Sequence, residues 1–274
     1  MKIRQGFVSN SSSSSFIIAF PKKPKSFDDV YDMMFDGKDG GISIYDRDGM
    51  SYPQISMEVW KDIKSGLEQK EKDEWQSKCI PASKKEIAEE ISNRYFYYSH
   101  VGGLRSIKNG WCEDIGPYFG SDIDNLTKLR DFIVKTSKEE SYIRERQKNI
   151  ICSEFKIPKA KWAYEGGKDM NGKPYTKKDI KAHKAYTEAL DKFKKEHKEY
   201  QELEEKIRSI WNKKYKTEEV LRNKIAKADA KAFMQDNKGA FFAILHYSDD
   251  STLGCTMEHG NIFRNVPHIK VSNH

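Results

Sequence analysis

The segments of this chain that have strand character lie at its two ends. Near the start, apolar residues 16–20 follow five consecutive serines, and near the end residues 240–247 are strongly apolar. Shorter strand patterns lie at residues 1–8, 41–45, 262–263 and 268–271. Helical patterns dominate the region between the two ends. The arrangement predicts an α+β fold with a small mixed or antiparallel sheet built from both termini and packed by helices.

Helix starts are marked by the capping-box pattern, in which Ser or Thr is followed three residues later by Asp or Glu. The pairs are Ser26 with Asp29, Ser83 with Glu86, Ser121 with Asp124, Ser137 with Glu140, and Thr176 with Asp179. These pairs predict helices at about 27–35, 84–98, 122–135, 138–152 and 177–212.

The longest helical pattern is an amphipathic stripe with spacings of three and four. Its members are Tyr186, Leu190, Phe193, His197, Tyr200, Leu203, Ile207 and Ile210. A second helix is predicted at 218–234, with a turn at 211–216, so that the pair forms a helical hairpin. We therefore predict a core domain of residues 1–136 and 236–274 and a basic helical arm of residues 137–235, through which copies of the chain could associate.

Positive charge is unevenly distributed along the chain. The formal net charge is +7, and residues 136–235 hold 26 lysines and arginines against 17 aspartates and glutamates, while the remainder holds 23 against 25. A basic segment indicates an anionic partner such as nucleic acid. The alternative is a solvated helical surface rich in Lys and Glu.

Lysines alternate with aromatic residues between residues 156 and 178. Lysine neutralises phosphates, and an aromatic ring can stack on a base. The candidate nucleic-acid-binding residues are Lys156, Lys159, Lys161, Trp162, Tyr164, Lys173, Tyr175, Lys177 and Lys178. No named nucleic-acid motif is matched, and the alternative is a loop anchored by its aromatics with solvated lysines.

The serine run is a candidate anion-binding or structural loop. Hydroxyl and backbone N–H groups can hold a phosphate, and the residues concerned are Arg4, Asn10, Ser11, Ser12 and Ser13. No P-loop, dinucleotide or hydrolase-elbow motif supports a defined ligand. Because apolar sequence flanks the run, we expect it to be ordered and packed against the last thirty residues.

Histidines and acids are concentrated near the end of the chain. The candidate metal ligands are His246, Asp249, Glu258, His259, His268 and His274. Imidazole and carboxylate suit zinc, iron or manganese, which would fit a metal-dependent, nuclease-like hydrolase. No recognised ligand spacing is present, so the alternative is surface or capping histidines, and on that alternative no cofactor is expected.

The composition favours a protein that is neither secreted nor inserted in a membrane. No run of about 18 apolar residues is present, and the start lacks the features of a signal peptide. The four cysteines are isolated, so neither a disulfide framework nor a zinc finger is indicated. We therefore expect a cytoplasmic protein.

Both ends of the chain resemble a group of mostly uncharacterised proteins from tailed bacteriophages and some bacteria. The similarity at the start covers residues 1–4 and 6–16, within MKIRQGFVSNSSSSSFI. At the other end it covers Glu258, His259, Gly260, Pro267, His268, Asn273 and His274. The resemblance implies a phage or prophage setting, so that the protein would lie in the cytoplasm of an infected bacterial host or be associated with a virion. It also implies that the two ends belong together, but it implies no established activity.

Two functional hypotheses follow from these patterns. The first is a binding or assembly module that contacts nucleic acid, or a phage or host protein, through its basic helical arm. The second is a metal-dependent hydrolase that uses the C-terminal histidines and acids. Whether the protein is an enzyme is left open by the sequence.

Overall fold

A computed structural model describes residues 13–43, 49–68, 80–100, 121–170, 172–248 and 251–272. The fold is α+β, with small antiparallel sheets and long helices. The chain divides into two compact units. We call Met1–Arg130 together with Glu219–His274 the sheet unit, and Asp131–Glu218 the helical unit.

The main sheet joins the two ends of the chain. Its central strand, β1 (Ser13–Phe20), pairs antiparallel with both β4 (Phe241–Ser248) and β5 (His268–Ser272). Two short strands, β2 (Gly41–Ile42) and β3 (Met50–Ser51), form a separate pair. The predicted sheet from both termini is therefore confirmed. The predicted strand at 262–263 is wrong because these residues form a turn, and residues 1–8 lie outside the described residues.

Five of the helices in the described ranges lie between β3 and β4, and the other two lie near the chain ends. In chain order, the helices are α1 (Phe27–Phe35), α2 (Tyr52–Glu68), α3 (Lys84–His100), α4 (Ile123–Glu154), α5 (Lys177–Glu196), α6 (Lys198–Asp236) and α7 (Thr252–His259). Phe16, Ile18 and Phe20 of β1 are buried in one cluster with apolar residues of α1, α2 and α7. Because side chains alternate along a strand, Ile17 and Ala19 point to the opposite face. Ile17 and Ala19 are also buried, so both faces of β1 are covered.

Three capping residues start the helices that the sequence predicts. Ser26 accepts a hydrogen bond from the N–H of Asp29, and Ser83 and Thr176 each form a reciprocal capping box. The helix predicted to begin after Ser121 is capped instead by Asp122, which accepts from the N–H of Asn125. The fifth pattern, at Ser137, is wrong because this residue lies inside α4, where its carbonyl accepts from Ser141 Oγ.

The helical unit contains an antiparallel pair formed by α4 and α6. Arg144 lies over the ring of Trp211, the Gln147 side chain donates to Glu204, and Glu154 is paired with His197. Partner numbers fall as α4 numbers rise, so the two helices run in opposite directions. Leu203 and Ile207 of the apolar stripe lie between the two helices, where they are buried against Ile143 and Ile150.

The predicted turn at 211–216 is wrong, since these residues are helical within α6. The interruption lies at His197, whose extended backbone separates α5 from α6. No glycine or proline marks the predicted position, and the helix continues through it. At His197, the imidazole Nδ1 accepts from the N–H of Tyr200 and so acts as the cap of α6.

Candidate nucleic-acid interface

The helical unit carries the formal net charge of the chain. Residues 131–218 hold 23 lysines and arginines against 16 aspartates and glutamates, and the remaining residues hold 26 of each. Within this unit, residues 156–178 hold seven lysines and two acids. We call residues 156–178 the basic loop. Most of the positive excess is therefore carried by a short connection between α4 and α5.

The basic loop is folded by its own backbone hydrogen bonds. Lys168 and Pro174 form an antiparallel bridge, and the N–H of Asp169 donates to the Lys173 carbonyl at 2.9 Å. Gly172 has φ of +77°, a conformation that glycine adopts without strain, and its N–H donates to the Asp169 carbonyl. The turn therefore holds Lys168 and Lys173 near each other along a narrow hairpin.

Three aromatic rings of the basic loop contact one another. The centroids of Trp162 and Tyr164 are 4.9 Å apart, and those of Tyr164 and Tyr175 are 6.0 Å apart. Gly167 lies close beside them, because a Cβ there would be 2.5 Å from the Tyr164 ring and would force that ring to move. Trp162 is 63% exposed and Tyr164 is 50% exposed. The structure therefore brings the three candidate aromatic residues together and leaves two of them on the surface.

Lys161 links the hairpin to the aromatic rings. Its Nζ lies 3.4 Å from Asp169 Oδ2 and 5.6 Å from the centroid of the Tyr175 ring. The other carboxylate oxygen of Asp169 accepts from the N–H of Lys173 at 3.0 Å. Asp169 is thus occupied in holding the loop together, and Lys161 has a structural role in addition to its charge.

The other candidate lysines remain available to an anion. Lys159, Lys168, Lys173, Lys177 and Lys178 are exposed and form no ion pair with any residue in the described ranges. The Asp179 carboxylate accepts hydrogen bonds from Thr176, which, with nearby Lys161 and Lys178, hold its pKa below the usual value. Lys156 donates to the Ser153 carbonyl at the end of α4. The surface therefore combines uncompensated positive charge with exposed rings.

The candidate anion loop at the serine run is a strand where the structure describes it. Ser13 begins β1, while Arg4, Asn10, Ser11 and Ser12 lie outside the described residues. The buried Ser14 hydroxyl donates to Glu258 Oε1 at 2.9 Å, and Ser15 Oγ lies 2.9 Å from His246 Nδ1. For this part of the run, the prediction of packing against the last thirty residues is confirmed.

The C-terminal candidate metal ligands have separate surroundings. His246 faces Ser15, Glu258 faces Ser14, and the His268 ring hydrogen-bonds through Nδ1 to the Val266 carbonyl. His259 lies in the last turn of α7, and Asp249 and His274 lie outside the described residues. Among the described residues, no three His, Cys, Asp or Glu side chains come together as metal ligands.

His183 is a member of the aromatic cluster that the sequence interpretation did not include. Its ring meets Trp162 edge to face, with centroids 6.2 Å apart. The capping box at Thr176 could have located His183, because it marks the start of the helix in which residue 183 lies two turns further on. Helix α5 passes beside the loop that precedes it, so His183 contacts the Trp162 indole from a different element.

None of the helices in the described ranges is long and apolar enough to span a lipid bilayer. Comparison with protein families, curated proteins and solved structures found no match to this chain.

Proposed function

We propose that this protein is a binding module that contacts nucleic acid through the basic loop. The observation that carries the proposal is the concentration of seven lysines and two acids in residues 156–178, beside the exposed Trp162 and Tyr164. Charge neutralisation of phosphates dominates non-specific nucleic-acid affinity. Lys159, Lys168, Lys173, Lys177 and Lys178 provide such contacts at little cost, because none of them has an ion pair in the described ranges that would have to be broken.

Nucleic acid fits this surface better than an acidic protein because the loop combines lysines with exposed aromatic rings. Lysines and rings together match a ligand that alternates phosphates with bases. Lysine is a point charge that contacts phosphates, and phosphate contacts carry no direct sequence information. We therefore expect weak sequence preference.

The test is a charge reversal confined to the basic loop. In the quadruple variant Lys159→Glu, Lys168→Glu, Lys177→Glu and Lys178→Glu, Lys161 is retained because it holds Asp169. Binding of a labelled oligonucleotide, followed by fluorescence anisotropy across a salt series, should weaken strongly. The dependence of log affinity on log salt should flatten by about 0.9 for each duplex phosphate, or about 0.7 for each single-strand phosphate, that the variant no longer neutralises.

The matched control makes the same change in net charge within the sheet unit. Lys23, Lys84, Lys231 and Lys238 are exposed and are each replaced by Glu. The control should bind nearly as well as the unmodified protein at about 150 mM salt, where distant charges are largely screened. Equal losses in both variants, or no binding by the unmodified protein at about 50 mM salt, would refute the proposal and leave a protein partner as the better hypothesis.

We further infer that the module serves as an accessory protein in a phage or prophage setting. The support is the resemblance of both chain ends to the phage protein group described above. The pairing of β1 with β4 and β5 offers a physical reason why both end motifs would be retained together. Purification of the protein from phage-infected cells, with sequencing of bound nucleic acid, tests this setting directly.

A further inference from the structure

We infer that the basic loop prefers single-stranded to double-stranded nucleic acid, and that Trp162 is the platform on which an unpaired base stacks. The inference rests on the proposed function, because it concerns the ligand of the same surface. It depends on how the three rings of the loop are arranged rather than on charge.

Trp162 is the most exposed aromatic residue of the cluster, at 63% against 50% for Tyr164. Tyr164 meets it at an interplanar angle of 59° and His183 at 73°, so both contacts are tilted or edge-on. Among the described residues, no ring stacks parallel on the indole. Contacts with these two neighbours restrict the indole, which reduces the loss of side-chain freedom when a base binds.

The two tyrosines are less suited to stacking. One part of the Tyr164 ring lies against Gly167, where even an added Cβ would clash. Tyr175 is half-buried, and Lys161 Nζ lies over its ring. These contacts assign Tyr164 and Tyr175 to supporting the loop, and they leave Trp162 as the side chain that meets a base.

A stacking platform distinguishes single strands from duplexes. In a duplex, each base is already stacked and paired, so a duplex offers the loop mainly phosphates. A single strand offers phosphates and unpaired base faces together, and base–aromatic stacking is worth about 1–3 kcal/mol per base. The lysines of the loop should therefore bind both forms, whereas Trp162 should contribute only to the single strand.

The experiment compares one sequence as a single strand and as a duplex at the same salt concentration. Trp162→Ala should weaken single-strand binding by about 5- to 150-fold and change duplex binding by less than about 2-fold. Trp162→Phe should retain most of the single-strand affinity because a ring remains. Tyr142→Ala is the matched control, since Tyr142 is 64% exposed in the same unit but lies outside the loop.

Direct stacking is measured by the quenching of tryptophan fluorescence. A single-stranded oligonucleotide should quench the unmodified protein, and most of this signal should disappear in Trp162→Phe. Circular dichroism confirms that each variant is folded, and Trp162→Leu replaces the alanine variant if that one unfolds. Equal losses on both ligands, or no loss on the single strand, would overturn the inference while leaving the proposed function intact. Failure of the unmodified protein to bind either ligand would overturn both.

Discussion

The sheet unit and the helical unit differ in how their sequences use charged and apolar residues. The sheet unit has a balanced charge, and its described residues include a cluster of 17 buried apolar residues, with further buried residues such as Ile87 and Ile91 outside it. The helical unit carries the net charge of +7, and its cluster contains four buried residues from α4 and α6. One unit is organised around burial, and the other exposes charge and aromatic rings.

The difference shows why stability and recognition can occupy different parts of one chain. Strand pairing between distant ends gives the sheet unit interactions that break only when the whole unit opens. Helix pairs need fewer buried residues, because their backbone hydrogen bonds are local. A loop between two such helices can therefore keep lysines and rings on the surface without weakening a large core.

Truncation of one core residue in each unit should produce the largest effects. Ile18→Ala removes a fully buried side chain from the larger cluster, and we expect it to lower the free energy of unfolding by about 3–5 kcal/mol. Leu203→Ala removes a buried side chain from the smaller cluster and should cost about 2–3 kcal/mol. Urea unfolding followed by circular dichroism gives the totals, and amide exchange measured peptide by peptide gives the location. A larger loss for Leu203→Ala would contradict the comparison.

Loss of a buried hydrogen bond in the sheet unit should lower the stability by an intermediate amount. Ser14→Ala removes the donor to Glu258 Oε1, and both residues are buried. Loss of a buried donor to a carboxylate should cost about 1–3 kcal/mol. The control Ser65→Ala lies on the exposed side of α2 and should change the stability by less than about 0.5 kcal/mol. Equal melting temperatures for the two variants would show that the Ser14 bond contributes little.

Much of the sheet unit follows from local sequence signals. The apolar runs at both ends predicted β1 and β4, and the caps at Ser26 and Ser83 predicted α1 and α3. Helix α2 was missed because its capping pair uses Gln54 in place of an acid, with the Ser51 N–H donating to Gln54 Oε1 at 2.8 Å. A search that allowed Gln at this position would have found it.

The helical unit was harder to predict because its boundaries depend on tertiary contacts. Ser137 matches a capping pattern but continues a helix, since the residues around it have no glycine or proline to stop it. The break between α5 and α6 lies at His197, whose ring accepts a hydrogen bond from the Tyr200 N–H and contacts Glu154. A sequence pattern within one helix does not reveal a partner on another helix, such as Glu154. The candidate loop was predicted from composition, but the support of Trp162 by His183 depends on how α5 returns past the loop.

The cap at His197 should contribute a smaller amount to the helical unit. His197→Ala removes the acceptor for the Tyr200 N–H and the contact with Glu154. We expect a loss of about 1 kcal/mol, the typical cost of removing a helix cap. His197→Asn keeps a capping oxygen and should recover about half of this loss. If both variants lose the same amount, the Glu154 contact rather than the cap is responsible.

The smallest expected effect is a pH dependence in the sheet unit. Burial lowers the pKa of His268 from its ordinary value of 6.5, although hydrogen bonds to the Val266 and Phe263 carbonyls oppose this shift. The unfolded chain therefore takes up a proton on this ring at a higher pH than the folded chain does. Between these two pKa values the unfolded state binds more protons, so stability falls as the pH decreases below 6.5.

Replacement of this ring by a neutral amide isolates its contribution. His268→Gln should lose less stability than the unmodified protein between pH 7.5 and pH 5.5, because one protonation linked to unfolding has been removed. Urea unfolding at both pH values measures the difference, and His259→Gln, which changes an exposed histidine in the last turn of α7, serves as the control. The same pH dependence in all three proteins would show that groups other than His268 determine how the stability changes with pH.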